Sequence, residues 1–274
     1  MNYNVFMYKI IVSDLDETLL NGQKHISKAD IESISKLTEC KFIIATGRGF
    51  GAVQHHLKEI GQYNKQNSYT MSYNGGIITE NKDNRILYAK YMPFEDAKFL
   101  FNLGKKYNIC INLYCEDRCY IYKLFENERI LLSNNGFDLV EFEEDNIDFA
   151  KDFKIVKLLF CSEDYEYLKF IKKDMNIDDR FSISFSSQRY IELNPLGIDK
   201  GFGLRKLCEL LDVDIKDTIA VGDNINDIEM IKAAGIGIGV KNTVPEVVPH
   251  CDTIIDADNN HDPISYIINK YNIK

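Results

Sequence analysis

The sequence predicts an α/β protein: an open, doubly wound parallel sheet with an α+β unit inserted into it. Two observations predict this, and a third marks where its chemistry lies. Short apolar runs ended by Asp, Thr, Gly or Lys alternate with helical patterns at both ends of the chain, as expected of strands covered on both faces. The middle of the chain instead places strand-like runs at hairpin spacing, with helices interleaved. An acidic pair, Asp14 and Asp16, stands directly behind the first apolar run.

The parallel strands are read at Tyr8 to Ser13, Lys41 to Thr46, Thr218 to Gly222, Ile236 to Val240 and Thr253 to Ile255. Between them, Ser27 to Thr38 carries Ile31, Ile34 and Leu37 at helical spacing with Ser27 as N-cap. Gly203 to Leu211 aligns Leu204, Leu207 and Leu210 or Leu211 on one face. Asp227 to Ala234 is a further helix, with Gly235 as the residue that closes it. In the middle, strands are expected at Ile86 to Tyr91, Ile109 to Tyr114, Cys119 to Leu124, Ile155 to Cys161, Phe181 to Ser187 and Tyr190 to Leu193. Helices are expected near Phe94 to Tyr107, Glu126 to Asn134 and Asp164 to Asp174. Turn-rich stretches at Asn81-Lys82-Asp83-Asn84 and Asn194-Pro195-Leu196-Gly197 mark the boundaries. The expected division is a discontinuous core of residues 1–83 and 194–274 and an insert of residues 84–193, an antiparallel α+β unit.

At 274 residues the chain can bury a proper core, and its 45% hydrophobic and 27% charged residues are ordinary for a globular protein. A net charge of -9 argues against nucleic-acid binding. No apolar stretch approaches the ~20 residues that span a bilayer, and Met1 to Tyr8 has no secretory-leader pattern. The seven cysteines are odd in number and scattered, which suits free thiols in the reducing cytoplasm. Cys115 and Cys119 form half of a zinc pattern without a second half.

Two carboxylates two residues apart at a strand end lie on the same side of an extended backbone. They repel unless a cation or a proton lies between them. The pair therefore reads as a site for a hard divalent cation with a carboxylate free to attack an electrophile. Other clusters fall at the carboxyl ends of strands, where open sheets bind ligands. These are Thr46-Gly47-Arg48 and Gly222-Asp223-Asn224-Ile225-Asn226-Asp227, with Lys200, in Gly197-Ile198-Asp199-Lys200-Gly201, at the start of the helix preceding the latter strand. Singly, Thr46 could cap a helix, Lys200 could be solvated, and Asp223 and Asp227 could be helix-start acids. Together, and in this order, they read as one catalytic constellation.

These motifs, with Asp14-Leu15-Asp16-Glu17-Thr18-Leu19-Leu20, Ala45-Thr46-Gly47-Arg48 and Asn74-Gly75-Gly76, resemble the haloacid dehalogenase superfamily, specifically its Cof-like hydrolases. The resemblance spans nearly the whole chain. It implies a Rossmann-like core with an α+β cap that closes over the site and selects the substrate. It departs at Glu17, where the family frequently has Gly. The pair His55-His56 lies outside the family pattern and reads as part of a surface helix.

The resemblance, together with phosphoryl-transfer chemistry, implies roles for single residues. Asp14 is expected as the nucleophile and Asp16 as the general acid and then base. Mg²⁺ is expected on the carboxylates of Asp14 and Asp223 and the carbonyl of Asp16, with Asp227 orienting a metal water or Lys200. Thr46, the Gly47 amide, Lys200, Asn226 and the Leu15 amide are expected to hold the phosphoryl oxygens. The implied activity is a Mg²⁺-dependent phosphatase for small phosphorylated metabolites, sugar phosphates or similar phosphomonoesters. The expected state is a monomer or small homo-oligomer, without nucleic-acid or membrane partners. The alternatives are a phosphomannomutase-like phosphotransferase and a receiver-type phosphoacceptor module. Arg118, Arg189 and Tyr190 of the insert are polar or aromatic candidates that a solvated face explains equally well.

Overall fold

The computed structural model describes residues 8–116, 118–133, 138–177 and 179–274. Met1 to Met7, and the last residue of the helix expected at Glu126 to Asn134, lie outside them. The chain forms two compact units, one running up to Ala89 and resuming at Asp199, the other spanning Lys90–Ile198.

The first unit opens with β1 (Ile10–Asp14), a single wide turn, α1 (Lys28–Ser35), β2 (Lys41–Ala45) and α2 (Phe50–Glu59). It continues with β3 (Tyr69–Ser72), β4 (Ile77–Glu80) and β5 (Arg85–Ala89). The second unit holds α3 (Phe94–Lys106), β6 (Cys110–Cys115), β7 (Arg118–Tyr122), α4 (Glu126–Ser133) and β8 (Asp138–Phe142). It ends with β9 (Ile155–Cys161), α5 (Tyr165–Met175), β10 (Phe181–Ser186) and β11 (Tyr190–Pro195). The first unit then resumes with α6 (Lys200–Leu211), β12 (Thr218–Gly222), α7 (Ile228–Ala233), β13 (Ile236–Gly239), β14 (Thr253–Ile254) and α8 (Pro263–Lys270).

The sheet of the first unit has the order β14-β13-β12-β1-β2-β3-β4-β5. It is parallel from β14 to β3, and β4 and β5 add to it antiparallel. Alternate residues of the central strands face opposite layers. Ile11, Phe42, Ile44, Ile219 and Val221 cluster with Val53 and Leu57 of α2 and Ile264 and Ile267 of α8. Ile10, Val12, Ile43, Ala45 and Ala220 cluster with Leu204 and Leu207 of α6 and Met230 of α7. Both faces of the sheet are thus buried under helices, the doubly wound arrangement that the uninterrupted apolar runs predicted.

The structure corrects several details. The strand expected to open the insert is β5, which hydrogen-bonds along β4 and so belongs to the first unit's sheet. At the other boundary, β11 pairs with β10 as far as Pro195, which keeps residues 194–198 in the second unit. β3 and β4 escape a search for apolar runs because β3 reads Tyr-Thr-Met-Ser. Its Thr70 is nevertheless buried, its hydroxyl donating to Asn81 Oδ1 at 2.8 Å. The second unit's sheet, ordered β10-β11-β9-β6-β7-β8, is not wholly antiparallel, since β7 and β8 pair in parallel. Gly235 is not a left-handed helix terminator: α7 ends on the extended Ala234. A Cβ at Gly235 would come within 1.9 Å of the Lys216 carbonyl oxygen, so close backbone approach is what requires glycine there. In the second unit, Tyr190 is not a solvated residue: its hydroxyl donates to the buried Glu128 at 3.0 Å.

Ser27 caps α1 as expected, accepting from the Asp30 amide at 3.0 Å. Asp30 in turn serves a second helix, its carboxylate accepting from the Ser265 amide in the first turn of α8 at 2.7 Å. Asp262 gives that helix no side-chain cap, so Asp30 satisfies one of its open donors across the helix pair. Burial pushes the Asp30 carboxyl up to about 6, against the lowering effect of the Ser265 amide. The unfolded value lies near 4, so the folded state holds an extra proton between about pH 4 and 6. The stability from that proton is present below the window and is lost as pH rises through it. Asp30→Asn is expected to flatten the fall in melting temperature between those pH values, checked by thermal denaturation across a pH series. An unchanged slope would remove Asp30 as its source.

Candidate functional site

The first unit gathers its polar residues at the carboxyl ends of neighbouring parallel strands. Asp14 is the last residue of β1 and pairs in register with Ala45, so Thr46 follows directly on the adjacent strand. Asp223 follows β12 on the other side of β1. Lys200 is the first residue of α6, whose N-cap Asp199 accepts from the Phe202 amide at 2.7 Å. Asp14, Thr46, Lys200, Asp223 and Asp227 are all buried.

Lys200 is the hub. Its fully buried ammonium donates to Asp14 Oδ1, and to Asp227 Oδ1 at 2.6 Å. Asp227 Oδ2 accepts from the amides of Asp223 and Asn224, both at 3.0 Å. Asp227 thus holds the turn after β12 and the lysine at once. Gly222 is required for this, because a Cβ there would lie 2.6 Å from the Asp227 carboxyl carbon. Asp223 Oδ1 accepts from the Thr18 hydroxyl at 2.5 Å, which ties the turn after β1 to the turn after β12. That first turn is closed by the Leu20 amide donating back five residues to the Leu15 carbonyl at 2.8 Å.

The charges do not balance. Ligand atoms of Asp14, Asp223 and Asp227 lie within 4.8 Å of one another, and Lys200 is the cation bonded among them. Burial pushes the Asp14 carboxyl well above its ordinary value; Asp227, Asp223 and Asp16 add to this and Lys200 opposes it. Burial and Asp227 push Asp223 up to about 7. Lys200 is held charged by Asp14 and Asp227 against the cost of its burial. A buried excess of negative charge on oxygen donors is the environment of a hard dication, and Mg²⁺ accepts such a set with water completing its shell. The donors fit the ion. Of the three carboxylates, Asp14 and Asp223 are expected ligands, while Asp227 is already engaged by two amides and Lys200.

Asp16 has a different environment. Its carboxylate receives Arg48 Nε at 2.9 Å and Nη2 at 2.6 Å, with Lys24 Nζ at 3.4 Å. Burial would raise its pKa, but Arg48 and Lys24 outweigh that and lower it. Two acids two residues apart thus sit in opposite electrostatic settings. Glu17 follows at φ 59° and ψ 7°, the left-handed region where glycine is unstrained. Its side chain is held by Lys24 at 2.7 Å.

Asn226 Nδ2 lies 3.5 Å from Asn74 Oδ1, joining the turn after β12 to the turn after β3. Thr46 Oγ1 accepts from the Arg48 amide at 3.1 Å. Gly47 and Leu15 occupy the loops that follow β2 and β1. Sequence reasoning gave no role to Thr18, Lys24 or Arg48. Thr18 and Arg48 lie inside the quoted motifs, whereas Lys24 carries no motif signal. His56, read as part of a surface helix, is buried and bonds to Glu59 Oε2 at 3.1 Å.

The model of the haloacid dehalogenase-like hydrolase family matches residues 11–268. The chain belongs to this family. It is therefore an enzyme, a hydrolase whose relatives carry phosphatase names. A Buchnera aphidicola protein, provisionally named a phosphatase, is 32% identical over 276 residues, covering 96% of each chain. The HMP-PP phosphatase of Yersinia pseudotuberculosis is 26% identical over 245 residues, covering 88% of this chain and 86% of its own. A haloacid dehalogenase-like hydrolase from Bacteroides thetaiotaomicron superposes with a TM-score of 0.81 at 26% identity, covering 96% of this chain and 99% of the other.

Proposed function

We propose that this haloacid dehalogenase-like hydrolase is a Mg²⁺-dependent phosphatase for small phosphorylated metabolites, working through an aspartyl-phosphate on Asp14. The observation that carries the reading is the buried Asp14–Lys200–Asp227 chain with Asp223 beside it. A surplus of carboxylates at the end of β1 is suited to a dication and a phosphoryl group. Asp14 attacks phosphorus, and Lys200 favours its ionised form and aims it. Asp16 protonates the leaving oxygen, then takes a proton from the attacking water. Thr46, Lys200, Asn226 and the amides of Leu15 and Gly47 hold the nonbridging oxygens, stabilising charge on the transferring group. Asp14 and Asp223 would hold Mg²⁺ with the Asp16 carbonyl, and Asp227 would steady Lys200 and the turn after β12. When bound, the ion draws negative charge off the phosphoryl oxygens.

The second unit, residues 90–198, is proposed to select the substrate. Sugar phosphates lead the substrate panel, and the Yersinia relatives bring HMP-PP into it. A cytoplasmic place suits the free cysteines found among the described residues. No helix among the described residues is long and apolar enough to cross a membrane.

The purified protein is expected to hydrolyse p-nitrophenyl phosphate with Mg²⁺ and to lose that activity in EDTA, recovering when Mg²⁺ is restored. Phosphate release that persists in EDTA after exhaustive dialysis would overturn the metal dependence. Isomerised sugar phosphate in place of inorganic phosphate would favour a mutase.

A further inference from the structure

We propose that Arg48 is a positioning residue for Asp16, fixing the plane of its carboxyl so that it delivers a proton to the departing oxygen. The inference rests on the phosphatase reading. Asp16 has little else to orient it: its backbone is extended at φ -78° and ψ 129°, and its side chain is 38% exposed. Arg48 meets both carboxylate oxygens with two different nitrogens, at 2.9 and 2.6 Å. Such a fork sets orientation as well as distance. Lys24 cannot do this, being a single donor on a flexible stem, half exposed and closer to Glu17 than to Asp16.

The fork is itself held. The Arg48 amide donates to Thr46 Oγ1 at 3.1 Å, and its carbonyl accepts from the Tyr73 amide at 3.0 Å. The loop that carries Thr46 therefore also carries the group that aims the acid. In the first step an Asp14 oxygen bonds to phosphorus as the bond to the leaving oxygen breaks, and a proton passes from Asp16 to that oxygen. In the second, water oxygen bonds to phosphorus as the Asp14–phosphorus bond breaks, and its proton passes to Asp16. The full fork acts on the ionised carboxylate that receives the water proton in the second step, and a carboxyl protonated on one oxygen keeps the Arg48 contact on the other.

A positioning role predicts dependence on the leaving group. The ratio kcat/KM covers the steps through departure of the first leaving group, where nitrophenolate needs little protonation and an alkoxide needs it fully. Arg48→Ala and Arg48→Gln are expected to lower kcat/KM for glycerol phosphate at least about tenfold, and for p-nitrophenyl phosphate less than about threefold. Inhibition by inorganic phosphate should be unchanged. Arg48→Lys should not restore the loss, since it lacks the fork. If Arg48→Ala fails to fold by circular dichroism, Arg48→Gln, which keeps the stem and one donor, decides. Equal losses on both esters, or a weakening of phosphate inhibition that matches the loss, would overturn the positioning role. An unsubstituted protein inert toward both esters would instead overturn the phosphatase reading, and the inference with it.

Discussion

Asp14→Asn is expected to abolish turnover, with kcat falling by at least about a thousandfold in phosphate-release assays. The amide nearly preserves the shape of the carboxylate but is a far weaker nucleophile. The fold should survive, because Lys200 keeps its bond to Asp227 at 2.6 Å. The substitution also removes a buried carboxyl whose charged form is disfavoured by burial and by its acidic neighbours. The melting temperature should therefore hold or rise. Retention of more than a tenth of the activity would sink Asp14 as the attacking group. Loss of the fold would mean that its charge is needed to hold Lys200.

Lys200→Met carries the largest expected effect on stability. Lys200 is fully buried and bonded to two carboxylates. Methionine fills similar space with no charge, leaving Asp14 and Asp227 buried without their cation. Breaking a buried charge network from one side costs about 3–5 kcal/mol. Urea denaturation would measure this, and activity should disappear with it. The variant should also gain more melting temperature from added Mg²⁺ than the parent, since the ion replaces part of the missing positive charge. A loss below about 1 kcal/mol would mean that water screens the cluster far better than its burial implies.

The two experiments probe one feature: among the described residues the site gathers a surplus of acids, three buried carboxyl groups around the Lys200 ammonium. That surplus was legible at Asp14 and Asp16, as two acids where a buried strand ends. Its distribution was not. The trio that converges is Asp14, Asp223 and Asp227, while Asp16 is drawn off by Arg48 and Lys24. Spacing along the chain cannot reveal that Arg48, on the loop after β2, reaches the acid after β1. Parallel pairing of β1 and β2 brings those two loops together.

The same divide runs through the fold. β1, β2 and β12 stood out because both faces of each are buried, which forces an apolar run. β3 did not, because its Thr70 and Ser72 are buried through polar side chains, and β5 was assigned to the wrong unit because pairing with β4 is a long-range choice. Gly235 was recognised as a break in α7 but for the wrong reason, since its crowding comes from Lys216, distant in sequence.

By itself the sequence determined the alternating architecture, the presence of an insert, and the residue types that gather at the strand ends. These follow from local periodicity and from the cost of placing charge beside a buried strand. Tertiary structure decided which acid meets which cation, which strand closes the sheet and where each unit ends. Coulombic and hydrogen-bond partners are chosen by distance in space, and strand order rather than chain order sets that distance.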